Sequence, residues 1–143
     1  MRFSFKFKKA VGKRGNRVLR PEIDVRLLNG SNSQKVVALL DSGADTCFIP
    51  RSIAERLGFK LDGTPSVSKG IGGSIPVFDS QISIEFAAGH ERALLRDVPV
   101  SIPSVDGENT WIILGRSVVF EFFEVSFRQA ADQIVLKKAE PAP

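Results

Sequence analysis

The segment Ala38-Leu39-Leu40-Asp41-Ser42-Gly43-Ala44-Asp45-Thr46 runs an apolar stretch straight into a carboxylate and then into a tight Ser-Gly turn. An ionised carboxyl at the end of a core strand is costly unless it gains hydrogen bonds or a charged partner, so its position demands a reason. Gly43 supplies one: lacking a Cβ, it permits backbone angles and approach distances that a side chain forbids, and so it can hold Asp41 rigidly. A carboxyl fixed in this way can move protons, as a base when ionised and as an acid when protonated. Taken alone, Asp-Ser-Gly after a strand suits an Asx-type turn with no chemistry at all.

Two further segments change that balance: Ile112-Ile113-Leu114-Gly115-Arg116 lies about 70 residues downstream, and Gly70-Ile71-Gly72-Gly73 lies between. In this order the three motifs resemble the retropepsins, the single-domain aspartic proteases of retroviruses and their cellular and bacterial relatives, over Glu22 to Phe123. The resemblance implies that Asp41 is catalytic, that Leu114-Gly115 wraps behind its loop, and that Gly70, Ile71, Gly72 and Gly73 form a flap with Ile71 at its tip against substrate. Ser42, Gly43, Ala44, Asp45 and Arg116 then support the loop. The resemblance also implies that the Ser42 hydroxyl bonds across the axis of a dimer and that Asp45 pairs with Arg116. The resemblance also places Trp111 and Ile113 on the wall of a side-chain pocket, implying a preference for apolar residues beside the scissile bond, although Ile113 reads equally well as core.

Hydrolysis by this route uses two aspartates that share one proton. The chain supplies one motif, because Asp62-Gly63-Thr64, Asp79-Ser80-Gln81 and Asp106-Gly107-Glu108 have the wrong order or follow no apolar strand. A two-lobed monomer is thereby excluded, and a symmetric homodimer that brings two copies of Asp41 to its axis is expected. Two close carboxylates titrate as a coupled pair. The ionised member would activate water and the protonated member would stabilise the oxyanion, with no covalent acyl-enzyme and an optimum on the acidic side of neutrality. The resemblance implies an extended polypeptide as substrate.

Other chemistries find little support. His90, the one histidine, sits in Gly89-His90-Glu91, a turn-like setting, so no Ser-His relay is expected. Cys47, the one cysteine, heads the apolar Cys47-Phe48-Ile49 and reads as a buried, inert thiol; it excludes an intramolecular disulfide. One Cys and one His cannot assemble a zinc site of the usual spacing, so no metal or cofactor is expected. Lys69-Gly70-Ile71-Gly72-Gly73-Ser74 is followed by no Gly-Lys-Ser/Thr, and Pro76 argues against a helix there, so a phosphate loop is set aside. A second reading keeps the same fold as a non-catalytic dimerising or peptide-binding module.

The elements that position these residues must be strands. The 143 residues are 43% hydrophobic and 25% charged, which suits one globular domain with a real core. The pattern predicts an all-β, closed, barrel-like acid-protease fold, one lobe per chain, with one or two short helices. Glu22 to Leu40 reads as a hairpin turning at Asn29-Gly30-Ser31-Asn32-Ser33. Strands follow over Ser74 to Val77, Gln81 to Phe86 and Ala93 to Ile102, and a last hairpin joins Glu124–Arg128 to Gln133–Lys138. Helices are expected at Ile53 to Leu57, where Ser52 and Glu55 form a capping box and Gly58 a stop, and at Ser117 to Phe123.

Net charge is +4, but residues 1–20 hold eight of the 20 Lys/Arg and no acid, so the other twelve face all 16 acids and the remainder carries −4. The expected division is a basic arm over 1–20, with Phe3, Phe5 and Phe7 on a half-buried strand and a flexible stretch from Val11 to Arg20. The domain follows over 21–138, and a frayed tail over 139–143. A solvated basic flank needs no nucleic-acid partner, and none is expected. No apolar run approaches the roughly 20 residues of a membrane span and no signal peptide is visible, so a cytoplasmic protein is expected.

Overall fold

The computed structural model describes residues 1–70, 72–107 and 111–140. Its strands are β1 (Arg2–Phe5), β2 (Lys8–Val11), β3 (Arg17–Arg20), β4 (Glu22–Asn29), β5 (Asn32–Leu40), β6 (Cys47–Phe48), β7 (Ser66–Gly70), β8 (Gly73–Ala88), β9 (Glu91–Pro103), β10 (Ile113–Leu114), β11 (Phe123–Arg128) and β12 (Gln133–Lys138). One short helix, α1 (Arg51–Arg56), interrupts them. The hairpin of β4 and β5 forms as its alternation requires: Ile23, Val25, Leu27, Val36, Ala38 and Leu40 point inward, and Gly30 takes the positive φ (58°) that the two-residue turn needs.

Strand pairing runs in a closed ring. β4 pairs with β5, β5 lies parallel to β10, β10 meets β6, β6 lies parallel to β9, β9 pairs with β8, and β8 returns to β4. Ring closure leaves β7, which pairs only with β8, as the open edge of this sheet. Ile82, Ile84 and Phe86 of β8 and Leu95, Val98, Val100 and Ile102 of β9 fill the interior with the residues of the first hairpin. The sequence places a break over Phe78 to Ser80, yet β8 is continuous, since Phe78 pairs with Ile102, Asp79 with Ser101 and Ser80 with Val100; its irregularity is a bulge between Ile82 and Ile84.

The basic segment is part of this body. β1 pairs with β12, which also pairs with β11, giving a three-stranded sheet that packs Phe3 and Phe123 against Phe86 of the barrel. Phe3 is fully buried and Phe7 nearly so. Each such ring is worth about 1.5–3 kcal/mol of burial, enough to outweigh the fraying that a solvated arm would favour. The expected flexible stretch at Val11 to Arg20 is likewise ordered, with β2 and β3 forming a hairpin around Gly12–Asn16. Charge alone would leave this segment in solvent; the alternation of Phe3, Phe5 and Phe7 is the signal that marks its buried face. At the opposite terminus Ala139 N–H still donates to the Phe122 carbonyl, and residues 141–143 lie outside the described set.

Two helix expectations need correction. α1 begins at Arg51, with Ser52 inside it, so the Ser52–Glu55 capping box does not form. Its first turn is capped from afar, because Asp106 Oδ1 accepts from Arg51 N–H (2.6 Å) and Oδ2 from Ser52 N–H (3.1 Å). Glu55 instead pairs with Arg51 at 2.7 Å. Gly58, with φ of 80°, does end the helix. Desolvation pushes the Asp106 carboxyl up, but those hydrogen bonds and the Arg51 charge outweigh it and hold the group below its ordinary value. A depressed folded value means stability that is present above the ordinary carboxylate range and is lost as pH falls through it. Asp106→Asn should therefore cost about 1 kcal/mol at neutral pH in urea unfolding. The gap between variant and parent should close as the medium is acidified below about pH 4.

The second helix, expected over Ser117 to Phe123, is a broken turn over Arg116–Phe120, in which Ser117 (ψ 124°) and Val118 (φ 69°) leave helical conformation. The backbone bonds that Arg116 and Ser117 give to the loop beside Asp41 hold the chain in this shape.

Candidate active site

β5 delivers Asp41. Leu39 and Leu40 run parallel to Ile113 and Leu114 of β10, and Asp41 N–H donates to the Leu114 carbonyl (3.0 Å). The chain then turns back. Gly43 N–H donates to Asp41 Oδ1 at 2.8 Å, so the carboxylate is held by its own loop. Behind the turn, Arg116 N–H donates to the Ala44 carbonyl (2.8 Å) and Ser117 N–H to the Asp45 carbonyl (2.9 Å). The Arg116 guanidinium adds a second brace: Nη1 donates to the Ser42 carbonyl at 2.6 Å, and Nη2 pairs with Asp45 Oδ1. Three backbone bonds and one forked cation thus fix the carboxylate, while Ser42 and Gly43 stay exposed at the apex.

The loop forms one wall of an open cleft of about 730 Å³. Asp41, Gly43, Ala44, Asp45, Gly70 and Ile113 all line it. β7 and the start of β8 form the opposite wall, a hairpin whose register puts Gly70 against Gly73, the latter with φ of 116°. Gly72 and Gly73 line an adjoining hollow of about 330 Å³ that shares Phe48, Gly70 and Ile113 with the cleft and adds Ile75. Val67 and Ile75 on this hairpin are 63% and 45% exposed among the described residues, an apolar surface open to a ligand. Ile71 lies outside the described residues.

One sequence-derived residue sits elsewhere. Trp111 is not on the cleft wall of the single chain. Its ring lies under the Arg20 guanidinium, 4.8 Å from centroid to Cζ, a stack that tethers it to β3. Ser42 contributes its carbonyl to Arg116, and its side chain stands outside the cleft lining. Sequence reading also passed over Thr46, Phe48, Ser66, Ser101 and Asp79, all of which line the cleft. Asp79 could have been found, since it stands two residues after Val77 and so shares its face of β8, yet carries charge where that face is buried at Val77.

Cys47 lies just past the loop, almost fully buried. Burial pushes its thiol up to about 11, against a smaller opposing pull from the Gly115 backbone N–H. At pH 8 the folded protein should therefore resist thiol-alkylating reagents and react only after unfolding in denaturant. Stoichiometric labelling of the native chain within minutes would contradict this. Among the described residues no group of three or more His, Cys, Asp or Glu is placed to hold a metal ion, and no helix is long and apolar enough to cross a membrane.

No curated protein matches the chain by sequence. Among solved structures it is similar to a retropepsin-like aspartic protease from Rickettsia conorii, with 16% identity and a TM-score of 0.61 over 95% of this chain and 91% of that one, a likeness of fold. It also overlaps the EIAV protease complexed with the inhibitor HBY-793, with 24% identity over 68% of this chain and 82% of that one, but at a TM-score of 0.46 that overlap bears no weight. The sequence model described as aspartyl protease matches residues 23–118, a span that takes in β4 and β5, the Asp41 loop, the β7–β8 hairpin and the β10 segment behind it. With two thirds of its length matched and a retropepsin-like barrel around the carboxylate, the chain belongs to the aspartyl protease family.

Proposed function

We propose that this protein is an aspartic endopeptidase whose working site is made by two copies of the chain, Asp41 of each facing Asp41 of the partner subunit across a two-fold axis. The observation that carries the reading is one Asp-Ser-Gly loop per chain, its Asp41 carboxylate held by the Gly43 N–H at the cleft wall beside an exposed apex. A lone carboxylate can be acid or base in a given instant, not both. Two copies brought together share one proton, so the ionised member takes a proton from a bound water while the protonated member donates to the scissile carbonyl oxygen. The water oxygen bonds to carbonyl carbon, giving a tetrahedral intermediate, and the proton taken up then passes to the leaving amine as the C–N bond breaks. Neither carboxylate forms a covalent bond to substrate.

The Arg116–Asp45 pair and the Leu114 ladder keep the carboxylate from relaxing toward solvent, so little reorganisation is needed as charge develops. The β7–β8 hairpin acts as the flap. An extended peptide would pair with its backbone and cover Val67 and Ile75, and the glycines at its tip let it open. The test is cleavage of an unstructured protein at about pH 4 to 6, sensitive to pepstatin-like inhibitors and to Asp41→Asn. Cleavage that survives Asp41→Asn would overturn the reading.

A further inference from the structure

The cleft has an electrostatic asymmetry that the hydrolytic chemistry does not use. Its lining carries three carboxylates, Asp41, Asp45 and Asp79, against one cation, Lys69, a balance of −2. Asp41 is the reacting group and Asp45 is paired with Arg116. Asp79 is different: its hydrogen bonds come from hydroxyls alone, Ser66 Oγ donating to Oδ2 (2.6 Å) and Ser101 Oγ to Oδ1 (3.4 Å), and no cation lies within 4 Å among the described residues. Those two hydroxyls reach it from the neighbouring strands β7 and β9, so the carboxylate is fixed across three strands. Ser101 Oγ in turn lies 3.4 Å from Thr46 Oγ1, which ties Asp79 to the far side of the Asp41 loop, beyond Asp45.

A second hollow of about 370 Å³ opens from this point and shares Ser66 and Asp79 with the cleft. It is lined by Phe59, Leu61 and Phe78 together with the opposite charges of Lys60 and Asp62. A carboxylate that shares a mainly polar hollow with the side chains of Phe59, Leu61 and Phe78 suits a long side chain with an aliphatic stem and a cationic head, because the stem can lie along those three side chains while the head meets the charge.

We propose that Asp79 is a specificity-determining residue that selects a lysine or arginine in the substrate, at a position removed from the scissile bond. The proposal rests on the protease reading for its ligand but not for its measurement. In the Asp41→Asn chain, which should bind peptides without cutting them, affinity for otherwise identical extended peptides carrying Lys, Gln or Glu at one scanned position is measured by fluorescence anisotropy. The expected result is about fivefold tighter binding of the Lys peptide than the Gln peptide at one position, shrinking as salt is added. The preference should vanish in Asp79→Asn and turn toward Glu in Asp79→Lys. Equal affinity for Lys and Gln peptides at every position, or a Lys preference that Asp79→Lys leaves intact, overturns the proposal. Failure of the parent chain to cut any peptide overturns the protease reading instead, and the binding preference remains measurable.

Discussion

Replacing Asp41 by Asn should lower peptide hydrolysis by about 10⁴-fold while leaving the fold and the dimer in place. The amide is close in size to the carboxyl, and its oxygen can still accept from the Gly43 N–H, so the loop keeps its main internal bond. What is lost is the proton-accepting charge. The more telling form of the experiment mixes the two chains. Parent and Asp41→Asn protein are unfolded together in equal amounts and refolded, so that random pairing leaves about a quarter of dimers with both carboxylates. Activity should fall to about a quarter of that of the same amount of parent protein. If each chain worked alone, half would remain, and that outcome would sink the two-chain site. Sedimentation of the variant beside the parent checks that pairing itself is unaltered.

What could be read from the residues alone divides by the distance over which each signal acts. The β4–β5 hairpin, the loop after Asp41 and the β11–β12 hairpin are set by alternation and turn chemistry within a few residues, and all lie where the pattern puts them. Gly58 stops α1 for the same local reason. The start of α1 is another matter. Ser52 and Glu55 carry a local capping signature, but Asp106 arrives from 54 residues away with two carboxylate oxygens, and Glu55 has Arg51 one turn back to pair with. A remote cap outcompetes a local one whenever the fold brings a charged acceptor to the first turn, and no window of sequence contains both partners. Trp111 left the cleft wall in the same way, drawn under Arg20 from β3. The broken turn at Val118 is also set from outside, by carbonyls of the Asp41 loop. Of the candidate site, the motif residues were legible because each is a break in pattern: a charge ending an apolar strand, or glycines inside a strand. Ser66, Ser101 and Thr46 break no pattern, and only strand register brings them together.

Gly115→Ala should be the most damaging single methyl group that can be added to this chain. A Cβ built at Gly115 would lie 2.2 Å from the Thr46 carbonyl oxygen, 2.6 Å from its carbon and 2.9 Å from the Ala44 oxygen. Those are backbone atoms of the Asp41 loop, whose Ala44 and Asp45 carbonyls accept from the Arg116 and Ser117 N–H groups, so they cannot swing aside as a side-chain tip could. The glycine is required for space and not for conformation, since its φ of −91° and ψ of −173° suit any residue. Relief must come from separating the loop from β10. Overpacking of this kind costs about 3 kcal/mol or more, which should lower the unfolding midpoint by roughly 10 °C. Gly107→Ala is the control, because nothing lies within 4 Å of its Cβ and its φ is not in the left-handed region; it should unfold within about 0.5 kcal/mol of the parent. Equal urea midpoints for the two variants would mean that the loop is not wrapped by β10 in solution. If the wrap is real, residual hydrolysis by folded Gly115→Ala protein should drop as well, because the bonds that it strains are those that hold Asp41 in place.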